Sequence, residues 1–185
     1  MHKKIIIPIL IIVAASALYF GSILPLVKSR RFVAALNSMS SVKTLDEFKN
    51  HFDDVFNFYS PVGAEEISKF LGNNIISMIS AKEQSENVSR YLVEYVGQHL
   101  FKDNVRHLLM FGQMHFILWQ RFHQETDFVK AEEYYQRAFL IGPKLPPVLY
   151  GLFDLYAAKG DQAKAEEIGN IILKYWPEDE SVKRK

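Results

Sequence analysis

Four histidines stand eight residues apart: His99, His107, His115 and His123. Imidazole is the commonest metal ligand and the usual proton carrier near neutral pH, so a regular histidine series is the first place to look for chemistry. The spacing argues against a shared metal. On one helix eight residues advance about 800°, which is about 80° out of register, and separate successive rings by about 12 Å along the axis. An i, i+4 pair, by contrast, sets two rings on one face. His51, Asp53 and Asp54 supply acid–base residue types, but neighbouring helical positions point in different directions. Glu65-Glu66, Glu132-Glu133 and Glu166-Glu167 read as early helical turns, where carboxylates complement the helix dipole. There is no glycine-rich phosphate loop, no nucleophile elbow and no metalloprotease helix. There is no cysteine, which excludes disulfides, thiol chemistry and cysteine-bound zinc and suits either side of a membrane. Asn87-Val-Ser89 matches a glycosylation triplet, a pattern too short to carry weight. The expectation is a protein without catalytic residues, metal or cofactor, and not an enzyme.

The elements that carry these residues read as helices throughout. Thr44-Leu-Asp-Glu47 is a capping box, followed by Phe48, Phe52, Val55, Phe56 and Tyr59 at helical spacing. Ser60-Pro61 reads as a cap with proline at the first helical position, leading to Ile67, Phe70, Leu71, Ile75, Ile76 and Ile79. Ser85 caps a segment bearing Val88, Tyr91, Leu92, Tyr95, Val96 and Leu100, and Asn104 opens a long segment from Val105 to Phe122. Seven or eight soluble helices and no strand are predicted.

Near the C-terminus a 34-residue ruler applies. Asp127 and Asp161, Ala131 and Ala165, and Pro143 and Pro177 are each 34 positions apart, a period that signals stacked helical hairpins. With units at 112–145 and 146–179, the first supplies Leu118, Phe122, Ala131, Tyr135, Ala138 and Pro143. The second supplies Leu149, Leu152, Tyr156, Ala165, Ile172 and Pro177. Ala131 and Ala165 suit a close helix crossing. Gly160 suits a left-handed turn, and Asp161 a helix cap.

These positions resemble the tetratricopeptide (TPR) repeat. Trp119 and Phe153 depart from it where a small residue is usual, as does Gly169 where an aromatic is usual; upstream of Gly112 the frame fails. A more specific resemblance rests on order: an apolar run, then Leu45-x-x-Phe48…Tyr59-Ser60-Pro61…Glu65-Glu66-Ile67, a linking helix and the repeat units. This arrangement is similar to the C-terminal extension of some bacterial O-antigen ligase/polymerase-like membrane proteins. Their multi-span catalytic part is missing from this sequence, so the resemblance implies no catalytic residue.

Residues 5–27 contain no charge and would span about 34 Å as a helix, against about 30 Å of hydrocarbon. Lys3 and Lys4 flank one end; Lys28, Arg30 and Arg31 flank the other. Ala15-Ser16-Ala17 would suit signal-peptide cleavage, but the apolar character continues ten residues further, so a retained anchor is expected. The flanking charges nearly balance under the positive-inside rule. Short N-terminal tails stay inside, and the expectation is an extracytoplasmic soluble domain. Outside these flanks 17 basic residues face 21 acidic ones, a balance unsuited to nucleic acid.

The expected architecture is therefore all-α: an N-terminal transmembrane helix, then an array of α-helical hairpins forming a TPR-like α–α superhelix. Residues 1–4 form a short tail, 5–27 the span and 28–43 a linker or helix extension. Residues 44–104 form degenerate hairpins, 105–177 the two repeat units and 178–185 a charged tail. The expected function is a membrane-anchored scaffold for protein–protein contacts, plausible in cell-envelope or surface-polysaccharide assembly. The alternative is an accessory subunit or fragment of an O-antigen ligase/polymerase-like system, whose partner would be a multi-span membrane protein. Two surfaces would bind partners. The first helices of the units present a groove with Gln113, Phe116, Gln120, His123, Gln124, Tyr150 and Asp154, to which Ala157 and Ala158 belong. With no Lys, Arg or Asn there and with Asp154 repelling carboxylates, its ligand would be an apolar or amide-rich segment, not an acidic tail. The array end presents Ile168, Ile171, Ile172, Tyr175 and Trp176, with only a short charged tail to cover them, and would dock a partner or a second copy.

Overall fold

A computed structural model describes residues 3–183. Among these residues every regular element is helical and there is no strand. The chain divides into two compact units, residues 1–71 and 72–185.

The first unit begins with an unbroken helical rod. Helix α1 (Lys3–Leu18) passes through a π-helical turn (Tyr19–Ile23) into α2 (Leu24–Ser38), which ends in a 3₁₀ turn (Met39–Ser41). The wide turn has a local cause. Pro25 has no N–H, and its ring would crowd the carbonyl four residues earlier. The chain opens one i→i+5 turn just before it, with the Leu24 N–H donating to the Tyr19 carbonyl. From Ile6 to Ser41 the rod is long and apolar enough to cross a membrane, and its apolar stretch is uncovered.

Helix α3 (Leu45–Asn57) starts at the capping box: the Thr44 hydroxyl accepts from the Glu47 N–H and the Glu47 carboxylate accepts from the Thr44 N–H. It buries Phe48, Phe52 and Val55 and runs antiparallel to α2. Phe32 meets Phe52 with ring centroids 6.3 Å apart, Arg31 pairs with Asp54 at 2.8 Å, and the Lys28 ammonium donates to the Phe58 carbonyl at 3.0 Å. Lys28 thus satisfies the carbonyl at the end of α3 and complements its dipole. One expectation fails here. Ser60-Pro61 does not open the next helix. The Ser60 hydroxyl donates to the Val62 carbonyl, Gly63 takes a left-handed φ of 94°, and α4 (Ala64–Ser80) begins after it. A local hydroxyl–carbonyl bond outcompetes the cap.

Helix α4 buries Ile67, Leu71, Ile75 and Ile79 on one face. In the second unit α5 (Glu86–Gly97), capped by Ser85, packs on α6 (Val105–Phe122), capped by Asn104. Helices α6 and α7 (Glu125–Ile141) form one hairpin; α8 (Pro146–Lys159) and α9 (Gln162–Tyr175) form the next, with α8 resting on both α6 and α7. Ala131 and Ala165 are buried in one continuous apolar core with Leu149, Leu152, Tyr156 and Ile172. Tyr135 wedges between two helices that lack side chains at the contact: a Cβ on Gly112 would lie 2.9 Å from its ring, and one on Gly151 2.6 Å.

The inter-helix turns obey a different ruler from the alanines. Left-handed residues end α6 at His123 and α8 at Gly160, 37 positions apart rather than 34. Helix α7 has 17 residues and α9 has 14, so α7 starts almost one turn earlier relative to its alanine. Asp161 therefore caps α9, accepting from the Lys164 N–H at 3.1 Å, whereas Asp127 sits inside α7 and is free for another task.

Candidate functional site: an open trough on the second unit

An open trough of about 850 Å³ runs along α6, α8 and α9. Phe116 and Gln120 come from α6, Phe153, Asp154 and Ala157 from α8, and Glu166, Asn170 and Leu173 from α9. No lysine or arginine lines it among the described residues, and Asp154 and Glu166 give it negative character. Its floor is shaped by Phe153 of α8 and Gly169 of α9, which lie close together across the hairpin. A Cβ on Gly169 would lie 3.4 Å from the Phe153 ring and 3.1 Å from Val182. The bare backbone at Gly169 thus leaves room for the C-terminal helix.

That helix, α10 (Glu180–Lys183), was expected to be only a charged tail. It buries Val182 against α9, and Asp179 starts it by accepting from the Ser181 N–H at 2.9 Å. Ile168 and Ile172, expected on an uncovered array-end face, are buried within the chain. Of the proposed array-end face, Ile171 and Trp176 are half-buried and Tyr175 is 40 % exposed. Trp176 leans on Tyr150 with ring centroids 6.3 Å apart, and Lys144 lies over the Tyr175 ring.

The expected groove residues separate into two groups. Phe116, Gln120 and Asp154 line the trough together with Ala157 and Ala158. Tyr150 does not; its hydroxyl donates to Asp179. Gln124 reaches the other side and donates to Glu86 at 2.7 Å. His123 is an exposed left-handed cap, and Gln113 is exposed outside the trough. Gln162, Glu166, Asn170 and Leu173 were missed because the second helix of a unit was assigned wholly to packing.

A second, more polar cleft of about 540 Å³ lies beside α5, α6 and α7. Asp127 is 2 % exposed and accepts two bonds from the Arg90 guanidinium, at 2.8 and 3.2 Å. Its first oxygen also lies 3.1 Å from His115 Nδ1. Since the carboxylate can only accept, Nδ1 carries a proton. His115 stacks on Tyr134, which stacks on Phe111. Burial pushes the imidazole below the ordinary histidine value; the Asp127 bond opposes this, and the charges of Lys130 and Arg90 reinforce it. Of the four evenly spaced histidines, this one is held by a buried charge, and His107 accepts from the Phe101 N–H at 2.8 Å. Among the described residues no serine, threonine or cysteine lines the cleft. The arrangement holds a proton donor, a carboxylate and a guanidinium in mutual balance.

No family model matches this chain, and no curated protein or solved structure matches it either. The trough and the cleft must therefore be interpreted from their own chemistry. The trough is open, long and mixed in polarity, which suits a polypeptide segment better than an enclosed small molecule. In the cleft, Asp127, Arg90 and His115 are already paired with one another.

Proposed function

We propose that the protein is a single-span membrane scaffold with a TPR-like domain that holds a protein segment in the trough between α6, α8 and α9. The observation that carries this reading is the trough itself. It offers Phe116, Phe153 and Leu173 for apolar contact, Gln120 and Asn170 for amide contact, and the carboxylates of Asp154 and Glu166. Its occupant is an apolar, amide-rich or basic segment, since an acidic tail would be repelled. The anchor is the uncovered apolar rod at the N-terminus. A cell-envelope or surface-polysaccharide setting, with the soluble units outside the cytoplasm, rests on the resemblance in element order described above.

The test is site-specific crosslinking in cells producing the full chain. A photoreactive residue at Gln120 should give a discrete adduct that one at exposed Glu133 does not. Ala158→Arg, which fills the trough with a long cation, should abolish it. An adduct with a multi-span membrane protein would make this chain an accessory subunit of that protein. Equal crosslinking from Gln120 and Glu133 would overturn the reading.

A further inference from the structure

The first unit reaches below the end of its own apolar run. The antiparallel register of α2 and α3 pairs Phe32 with Phe52, Arg31 with Asp54 and Lys28 with Phe58. Each step toward the N-terminus of α2 is a step toward the C-terminus of α3. Lys28 is the first charged residue after the uncharged stretch, so the loop that follows Phe58 lies level with the last turn of that stretch. Accessibility along the rod agrees. All residues from Ile6 to Ile23 are exposed, whereas Leu24, Pro25 and Val27 are half-buried, so the protein already packs against the final apolar turn.

The loop itself has the composition of a membrane-surface element. Tyr59 is 67 % exposed and Val62 is 58 % exposed, with Pro61 between them. Its backbone is tied down: Lys28, only 4 % exposed, holds the Phe58 carbonyl, the Arg31 guanidinium lies 4.4 Å from the centroid of the Phe58 ring, and Ser60 bonds the Val62 carbonyl. Exposed apolar side chains on a fixed loop are costly in water, and a tyrosine with a wet hydroxyl and an apolar ring suits the headgroup zone.

We infer that the loop between α3 and α4 is a second membrane contact, inserting Tyr59 and Val62 into the lipid headgroup region beside the span. This inference rests on the reading of α1 as a membrane span. Glu65 and Glu66 open α4 just beyond the loop and limit the depth of insertion to the interface. Arg30, exposed at the same level, provides the opposite charge to lipid phosphates. The loop thereby fixes the first unit's rotation about the helix axis, which a lone span leaves free.

The experiment uses the absence of cysteine. Single cysteines at Val13, Asn50 and Val62 in the full chain are spin-labelled, and the protein is placed in phosphatidylcholine/phosphatidylglycerol vesicles. For each label, the ratio of collisions with oxygen to collisions with a water-soluble nickel chelate is measured. Val13 should give a high ratio and Asn50, exposed on α3, a low one. Val62 should give a ratio several-fold above that of Asn50 and below that of Val13. Adding K28Q should shift the Val62 label toward the Asn50 value and leave Val13 unmoved. A Val62 ratio equal to that of Asn50, with Val13 still high, overturns the loop contact alone. A low ratio at Val13 overturns the span and the loop contact together.

Discussion

Asp127 shows how a single residue can be misplaced by its own periodicity. The 34-residue ruler equates it with Asp161, yet one caps a helix and the other anchors Arg90 and His115 in near-complete burial. Breaking a buried charge pair costs about 3–5 kcal/mol, because the remaining charge stays desolvated. Arg90 retains its bond to Glu86 and is partly exposed, so Asp127→Ala should cost about 3 kcal/mol, read as a lower urea midpoint followed by tryptophan fluorescence. His115 adds a pH dependence. Its folded-state value lies below the unfolded one, so above the ordinary histidine value of about 6.5 both states are neutral and stability is at its plateau. As pH falls below that value the unfolded chain takes up the proton first, and stability declines. His115→Gln should flatten the stability profile between pH 7 and 5; a profile unchanged from the parent would show that another group titrates. Similarly, His123 holds a left-handed φ of 57°, and His123→Gly should raise stability by about 0.5 kcal/mol.

Helix pairing explains both what could be read from the sequence and what could not. Helix identity, the Thr44, Ser85, Asn104 and Asp161 caps and the Gly160 turn were legible because each depends on residues within one turn of the chain. Phe116, Gln120 and Asp154 were legible as one surface because a helical face follows from its period. The longer α7 was not, because its turn uses His123 rather than glycine and gives no punctuation signal. Nor was the loss of Tyr150 and Gln124 to Asp179 and Glu86, which are partners 29 and 38 residues away. Helix α10 escaped because four residues show no period; its seat depends on Gly169, which looked like a defect. Two substitutions test these contacts. Gly151→Ala places a methyl against the Tyr135 ring and should cost about 1–3 kcal/mol by overpacking. The cost should couple strongly to a smaller residue at Tyr135 in a double-mutant cycle. Val182→Ser should lose about 1–2 kcal/mol of apolar burial and speed hydrogen exchange in α10 more than in α7.

For the whole molecule, the sidedness of the soluble units decides which partners are accessible. With the N-terminal tail inside, a cysteine at exposed Glu133 should react with an impermeant maleimide on intact cells; labelling only after lysis would reverse the orientation. The rod from Lys3 to Ser41 has a further consequence. No extended linker separates α1 from α2: Gly21 and Ser22 lie within the π turn, whose backbone stays helical. A helix answers a mismatch between its apolar length and the bilayer by tilting. With α1 in a bilayer, a tilt would be carried along the continuous helix to α2, on which α3 is built. Membrane thickness would then be a mechanical input, and α2 the lever arm that turns a few ångströms of lipid into a swing of α3.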